Sequence, residues 1–407
     1  MTNCIPLGVA ALAVALVAPL PAQSSRSVPA AAWDSFTRTF DAFAVGDSIV
    51  GASVLMVRDG RTVAHHEFGF ADRAAGQRTS PATIFHWASI TKTLTAIAIM
   101  QLRDHGRLAL NDAATRYVPE LRLVHDPYGP IDAVTLRMLL SHSAGFQDPT
   151  WPYGEGRQWE PFEPTRWEQL VAMMPYQQLG FAPGSRFSYS NPAFIYLGRT
   201  IEQLTGDPYE AYIQKNLWTP LGMMYSYFGV TPYHLAPLRS NNYTVLADSG
   251  GQERVVANGR DFDPGITIPN GGWNAPLSDL AVYLAFLTDE PRADSTLRRR
   301  YALVLSRGSL SEMWRPALLA ADPGAPADSM GLSFFVLHRG PRVFVGHTGR
   351  QAGFRSFFYL DRASGAAVVA AFNTANSAHP DASERGFVAV RETALRLLSS
   401  AADWPTR

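Results

Sequence analysis

Cysteine and lysine are the residues that this chain of 407 amino acids has least of. Its one cysteine, Cys4, excludes an internal disulfide and a zinc site built on cysteine thiolates. The 35 basic residues include only two lysines, Lys92 and Lys215, and the others are arginines. A lysine in a chemically suggestive position is therefore more informative here than in an average protein.

Charge is also scarce, and the two signs are balanced. Charged residues make up 17% of the chain, against about 25% in an average globular protein. The 35 basic residues offset 35 acidic ones, so the formal net charge is zero. The chain lacks the basic excess of nucleic-acid-binding and anionic-membrane-binding proteins, and we expect neither partner. Hydrophobic residues, at 46% of the chain, are numerous enough for a large core.

The longest N-terminal hydrophobic run, residues 5–20, is short for a membrane span, which needs about 20 residues. It ends in Leu20-Pro21-Ala22, which suits a signal-peptide cleavage site. We therefore predict a signal peptide over about residues 1–22 and an exported protein, periplasmic or extracellular, with no membrane span in its mature chain. The alternative is an uncleaved N-terminal anchor, because no Lys or Arg precedes the run.

Strand-like segments lie at both ends of the chain, with helices between them. Two of them, 49–57 and 62–70, are joined across Asp59-Gly60, a strong hairpin signal. The later predicted strands are 331–337, 343–347, 354–360 and 366–372. The predicted helices are 33–43, 90–104, 135–140, 193–204, 277–286 and 383–398. This order predicts an α+β fold in which an antiparallel sheet is built from both chain ends and a mainly helical lobe is inserted.

The first candidate for chemistry is Ser89-Ile90-Thr91-Lys92. Residues three apart lie on one face of a helix, so the Ser89 hydroxyl and the Lys92 amine can meet. A serine hydroxyl is a poor nucleophile until a base takes its proton. Burial beside an apolar helix would lower the pKa of Lys92 toward that role. The alternative is a helix-capping serine followed by a solvated lysine.

The second candidate is Tyr189-Ser190-Asn191. A tyrosine near cations can relay a proton, and an asparagine amide can bind a substrate carbonyl and hold a lysine. The structural alternative is that Asn191 caps a helix that begins with Pro192, with Tyr189 as a core aromatic.

The third candidate is His347-Thr348-Gly349, which ends a predicted strand and is followed by Arg350. A glycine lets the backbone approach a ligand closely. A strand in this place can put an N–H group opposite that of Ser89 and so form an oxyanion hole. By itself the motif is also compatible with a surface histidine.

Together these three ordered motifs resemble those of the penicillin-recognising serine hydrolases of class C β-lactamase type. That family includes D-Ala-D-Ala carboxypeptidases, D-aminopeptidases and β-lactamase-like esterases. The resemblance covers about residues 33–398 and implies one β-lactamase/DD-peptidase-like domain. Its sheet lobe would comprise about 33–88 and 330–398, and its helical lobe about 89–329.

The resemblance also implies roles. Ser89 would be the acyl-forming nucleophile, and Lys92 and Tyr189 would share the proton transfer. Substrate binding would fall to five further residues: Asn191, His347, Thr348, Gly349 and Arg350. The N–H groups of Ser89 and Arg350 would form the oxyanion hole.

One departure from the pattern bears on the substrate. Class C β-lactamases usually carry a lysine where this chain has His347, and histidine is largely neutral at pH 7. This favours a peptidase or esterase acting on a small-molecule or peptide substrate over an efficient β-lactamase. The alternatives are β-lactam hydrolysis and a penicillin-binding or sensor protein with slow or no turnover. The oligomeric state is not readable from these features.

Other features are better explained by structure than by chemistry. His65-His66 has no partner at metal-ligand spacing, so we expect no metal, and nothing implies an organic cofactor. His142 is expected to be a hydrogen-bonded residue at a helix end. An aromatic group could form either a wall of the cleft or part of the core: Trp151, Tyr153, Trp159, Phe162 and Trp167.

Overall fold

The structure is a computed structural model that describes residues 27–146, 164–288, 295–320 and 328–405. The predicted signal peptide lies outside these residues, as do four of the five aromatic residues just named. Within the described residues no helix is both long and apolar enough to cross a membrane.

The strands form a nine-stranded antiparallel sheet and two small sheets. The large sheet has the order β3-β2-β1-β14-β13-β12-β11-β10-β9, and the small ones are β15-β6-β7 and β4-β8-β5. The strands are β1 Gly51–Arg58, β2 Arg61–Asp72, β3 Gln77–Arg78, β4 Ile84–His86, β5 Tyr227–Phe228, β6 Asn242–Ala247, β7 Glu253–Gly259, β8 Trp273–Pro276, β9 Leu318–Leu319, β10 Ser329–Met330, β11 Phe335–Arg339, β12 Arg342–Gln351, β13 Phe354–Asp361, β14 Ala366–Phe372 and β15 Thr374–Asn376.

The helices flank this sheet and fill the middle of the chain. They are α1 Ala30–Gly46, α2 Thr91–Asp104, α3 Leu136–Leu140, α4 Trp167–Met173, α5 Asn191–Thr205, α6 Tyr209–Ile213, α7 Thr219–Leu221, α8 Ile268–Gly271, α9 Leu277–Thr288, α10 Ser295–Val304, α11 Arg307–Met313 and α12 Pro380–Ser399. The α+β fold with an antiparallel sheet, predicted above, is therefore confirmed.

The two chain ends meet where β1 pairs with β14, in the middle of the large sheet. Every residue of both strands is buried, because helices cover both faces of the sheet. Alternate residues of β14 enter two different cores: Val368 belongs to the core that includes α1 and α12, whereas Val369 belongs to the core that includes α2 and α9. The hairpin at Asp59-Gly60 has the left-handed φ values, 52° and 70°, of the predicted tight turn.

The strand predicted over 331–337 begins later, at Phe335. A turn precedes it: the N–H of Gly331 donates to the carbonyl of Phe334, and Ser333 has a left-handed φ of 67°. The apolar residues of this segment resemble a strand, but the N–H groups of Leu332 and Ser333 donate to the carbonyls of Met313 and Leu140 instead of to a neighbouring strand.

Candidate active site

The backbone places Ser89 at the start of a buried helix. A single helical turn, Ala88–Ile90, leads directly into α2. Ala88 has a φ of 49°, a left-handed conformation that costs energy for a residue with a side chain. Its turn is held by the Thr91 hydroxyl, which donates to the Ala88 carbonyl at 2.6 Å and accepts from the N–H of Trp273 at 3.0 Å. The strain is thus supported by specific contacts just before Ser89.

Lys92 is fully buried, and its amine lies beside Ser89. Nζ is 3.0 Å from Ser89 Oγ, 2.7 Å from Asn191 Oδ1 and 2.8 Å from the carbonyl oxygen of Asn270. The amide and carbonyl oxygens can only accept, whereas the hydroxyl can also donate. This geometry is wrong for a solvated surface lysine. It suits an amine that keeps two N–H bonds and turns toward a hydroxyl.

The helix cap of α5 is Ser190 rather than Asn191. The Ser190 hydroxyl accepts from the N–H of Ala193 at 3.3 Å, and Asn191 is the first helical residue. The side chain of Asn191 therefore does not serve the helix end. Its Oδ1 accepts from Lys92 and, at 3.2 Å, from the amide of Asn270.

The ring of Tyr189 lies near the amine of Lys92. The Lys92 amine is 4.9 Å from the centre of its ring, within cation–π distance. His142 stacks on the same ring at 4.5 Å between centres, and the His347 ring centre is 6.3 Å away. The structure therefore brings all three sequence motifs into one cluster.

His142 is a hydrogen-bonded residue at a helix end, as expected above. It follows α3, and its Nδ1 accepts from the N–H of Ser190 at 3.0 Å. That bond holds the backbone between Tyr189 and Asn191. Burial, followed by the nearby charge of Lys92, lowers the pKa of His142 well below its usual value. A neutral imidazole that accepts at Nδ1 carries its proton on Nε2, which is buried without a hydrogen-bond partner among the described residues. Sequence reasoning missed this link to the site, because no local pattern pairs residue 142 with residue 189.

His347 is buried and uncharged at neutral pH. Burial, and then the charge of Lys92, lowers its pKa to about 3, against the opposing hydrogen bond to the Thr348 carbonyl. Nδ1 donates to that carbonyl at 2.6 Å, since a carbonyl can only accept. The site therefore carries no fixed cation at this position.

The end of β12 packs directly against the turn that carries the nucleophile. A Cβ on Gly349 would lie 2.2 Å from the carbonyl oxygen of Trp87, so only glycine fits there. Thr348 beside it is half-buried, and Arg350 is exposed. At Gly349, β12 therefore touches the backbone just before Ser89.

The buried residue His86 joins three strands, β4, β8 and β12, and the sequence had no signal for this contact. His86 Nδ1 is 2.9 Å from Asn274 Oδ1, and Nε2 is 3.0 Å from Gln351 Oε1. Burial, followed by the charge of Arg239, lowers the pKa of His86 to about 4. The contact ties the strand before Ser89 to the residue after Arg350.

The two histidines expected to be structural both lie next to acidic side chains. His65 and His66 pair with Glu67 and Asp41, and the described residues contain no metal-binding group of three or more His, Cys, Asp or Glu side chains. Trp167, the one described member of the aromatic set, is half-buried at the start of α4.

Among curated proteins, the chain is similar to protein flp of Staphylococcus aureus (strain COL), with 30% identity over 185 residues. That match covers 46% of this chain and 36% of flp, so the chain spans about a third of that relative. It is also 29% identical over 308 residues to esterase EstB of Burkholderia gladioli, covering 70% of this chain and 73% of EstB.

Among solved structures, the octameric penicillin-binding protein homologue from Pyrococcus abyssi has a TM-score of 0.72 and 25% identity. The match covers 90% of this chain and 77% of that one. The family model described as Beta-lactamase matches residues 36–392, which include the serine, tyrosine and histidine motifs. The chain therefore belongs to the Beta-lactamase family.

Proposed function

We propose that this protein is a serine hydrolase that forms an acyl-enzyme at Ser89 and then transfers the acyl group to water. The observation that carries this proposal is the 3.0 Å contact between Ser89 Oγ and Nζ of the fully buried Lys92. Two oxygens that can only accept, those of Asn191 and Asn270, hold the rest of the amine. A neutral amine in this position directs its lone pair at the hydroxyl that must lose a proton.

The proposed reaction has two steps, acylation of Ser89 and deacylation by water. In acylation a bond forms between Ser89 Oγ and the carbonyl carbon, the bond to the leaving group breaks, and the serine proton reaches the leaving group. In deacylation a water attacks the same carbon, the acid departs, and Ser89 regains its proton. We assign these transfers to Lys92 and Tyr189 together, because the amine contacts the Ser89 hydroxyl and lies 4.9 Å from the centre of the Tyr189 ring.

The negative charge on the tetrahedral intermediate would be stabilised by two backbone N–H groups, those of Ser89 and Arg350. The support for this pairing is the packing of Gly349 against Trp87, which joins β12 to the turn before Ser89. Asn191 and Thr348, both half-buried, are the substrate-binding side chains of this proposal, and His347, whose side chain is fully buried, would act through its backbone.

We propose esters or amides, including D-amino-acid peptides, as the substrate class. A β-lactam carries a carboxylate that favours a fixed cation, whereas the pKa of about 3 leaves His347 neutral at pH 7. The name of the relative EstB, an esterase, supports ester cleavage. Export through a signal peptide at about residues 1–22 is part of the same proposal.

The test is replacement of the nucleophile. Ser89→Ala should abolish both hydrolysis of a short-chain nitrophenyl ester and covalent labelling by a fluorophosphonate. Ser185→Ala, which changes an exposed serine before Tyr189, should leave both unchanged. Hydrolysis retained by a clean Ser89→Ala preparation would refute the assignment.

A substrate panel separates the alternatives on one preparation. Nitrocefin, a short-chain nitrophenyl ester and a D-Ala-D-Ala peptide are compared, and we expect ester cleavage with little nitrocefin turnover. The opposite ranking would identify a β-lactamase. A fluorescent penicillin that stays bound for hours with no hydrolysis of any substrate would identify a binding or sensor protein.

A further inference from the structure

Within the part of the chain that the structure describes, the end of β12 that carries Arg350 pairs with another strand along one edge only. β12 pairs with β11 as far as Gly346, whereas its pairing with β13 continues to Gln351. A strand end that is paired along one edge has no ladder of backbone hydrogen bonds to fix its other edge. Its distance from Ser89 must therefore be fixed by other contacts.

Gln351, the last residue of β12, makes such a contact. Its side chain is half-buried, and Oε1 lies 3.0 Å from Nε2 of the buried His86, three residues before Ser89. Oε1 also covers Gly271, where a Cβ would lie 2.7 Å from it. One side chain thus connects the end of β12 to β4, which leads into the nucleophile, and to the end of α8.

The two elements that Gln351 contacts belong to the frame of the proposed catalytic centre. Directly after β4, the N–H of Trp87 donates to the carbonyl of Trp273 at 2.8 Å, which fixes this segment to β8. In α8 the carbonyl of Asn270 accepts from the Lys92 amine at 2.8 Å. The amide of Gln351 therefore ties β12 to the same elements that hold the serine and the lysine.

The contacts on the two sides of Arg350 act in opposite directions. At Gly349 the backbone of β12 touches the segment before Ser89, and this sets how close the strand can come. The contact between Gln351 and His86 opposes movement of the strand away from that segment. Together the two contacts fix the position of the backbone N–H that lies between them.

The turn beyond Gln351 has an anchor of its own. The N–H of Gly353 donates at 3.1 Å to Oδ1 of Asn242, which lies in β6. A substitution of Gln351 leaves this anchor in place, so we expect its effect to be confined to the end of β12.

We propose that Gln351 is a positioning residue, which holds the Arg350 N–H through His86 where that group can stabilise the negative charge of the tetrahedral intermediate. The inference rests on the proposed function and adds a residue to its site. Its role is indirect, because the group that contacts the intermediate is the backbone N–H of the preceding residue. A displaced oxyanion donor weakens binding of the transition state more than binding of the substrate, so kcat should respond more than KM.

Kinetics of a short-chain nitrophenyl ester test the role. Gln351→Met keeps the length of the side chain and removes its amide, and it should lower kcat about 10- to 100-fold with KM within about threefold. Affinity for phenylboronic acid, which forms an anionic tetrahedral adduct with a nucleophilic serine, should fall at least about tenfold. An unchanged kcat, an unchanged boronate affinity, or a loss expressed in KM alone would overturn the inference.

The matched control is Gln77→Met. Gln77 is also half-buried, and its amide donates to the Pro237 carbonyl at 2.6 Å, but it lies on β3 at the far edge of the large sheet. This change should leave kcat and boronate affinity as they are in the unmodified protein. Losses as large as those of Gln351→Met would show that any lost glutamine contact has this effect, and would overturn the inference.

A double-mutant cycle tests the route through His86. His86→Phe removes the partner of the Gln351 amide and should itself lower kcat. Adding Gln351→Met to His86→Phe should then cost less than about a further twofold, because the contact is already lost. A full additional loss would show that Gln351 acts by another route and would overturn the proposal.

Hydrogen–deuterium exchange tests the positioning without turnover. In Gln351→Met the peptide over residues 347–353 should exchange at least about tenfold faster, with unchanged protection of α2. Equal exchange of that peptide, or faster exchange spread over the whole chain, would overturn the inference. Faster exchange confined to that peptide, in a protein whose unmodified form hydrolyses no ester or amide, would instead refute the proposed function while the hold of Gln351 on β12 stands.

Discussion

Acidification is expected to destabilise this protein, because the folded chain buries histidines in their neutral form. Burial lowers the pKa of His86 to about 4 and that of His347 to about 3, from an ordinary value of 6.5. Between the ordinary and lowered values the unfolded chain binds protons that the folded chain does not. The stabilising contribution of each neutral imidazole is therefore complete above pH 6.5 and is lost as the pH falls toward the folded value.

The magnitude follows from these pKa values. One pKa unit corresponds to about 1.4 kcal/mol, so each of the two histidines costs about 2 kcal/mol of unfolding free energy between pH 7 and pH 5. His142, whose pKa is also lowered, acts in the same direction. Together His86 and His347 contribute a loss of about 4 kcal/mol, which is a large part of a typical stability of about 5–15 kcal/mol.

The assay is urea unfolding at pH 7 and pH 5, followed by far-UV circular dichroism. His86→Gln keeps a polar side chain beside Asn274 and Gln351 and removes the titrating ring. It should reduce the loss between the two pH values by about 2 kcal/mol. His105→Gln is the matched control, because that imidazole already faces water in the folded chain. An unchanged difference in His86→Gln would refute the reasoning.

Three further substitutions test the site. Lys92→Ala should lower kcat about 1,000-fold in the ester assay. Lys215→Ala, at the other lysine, is the control and should have no effect. Similar losses in both variants would contradict the proton-transfer role of Lys92. His142→Phe removes the acceptor of the Ser190 N–H and should lower the free energy of unfolding in urea by about 1–3 kcal/mol. In the ester assay kcat should fall more than KM rises. Unchanged stability and kinetics would exclude a positioning role. Gly349→Ala should lower kcat/KM at least about tenfold, because its Cβ would force β12 away from the nucleophile's turn, and full activity would show that the strand is not held there.

The sequence predicted most of the elements because their signals are local. Strand-like apolar runs, the Asp59-Gly60 turn and helical spacing each concern a few neighbours along the chain. The sequence predicts the start of the strand at residue 331, whereas it begins at Phe335. A turn closed by the hydrogen bond from Gly331 to Phe334 interrupts the apolar run. Composition alone does not distinguish these two arrangements.

Contacts between distant segments could not be predicted in this way. The role of Asn191 depended on whether its side chain caps α5 or reaches Lys92, and the Ser190 cap left it available for the lysine. His86 joins Gln351 and Asn274 across most of the chain, with no pattern in the letters to indicate it.

By itself, the order of residues determined that strand segments lie at both ends of the chain and that Ser89 and Lys92 have the spacing of one helix face, because these signals act over short distances. Tertiary structure alone decided that the amine is dry, that His347 is uncharged and that Gln351 contacts His86. Burial sets the charge state of a side chain, and burial is a property of the packed molecule, to which remote segments contribute.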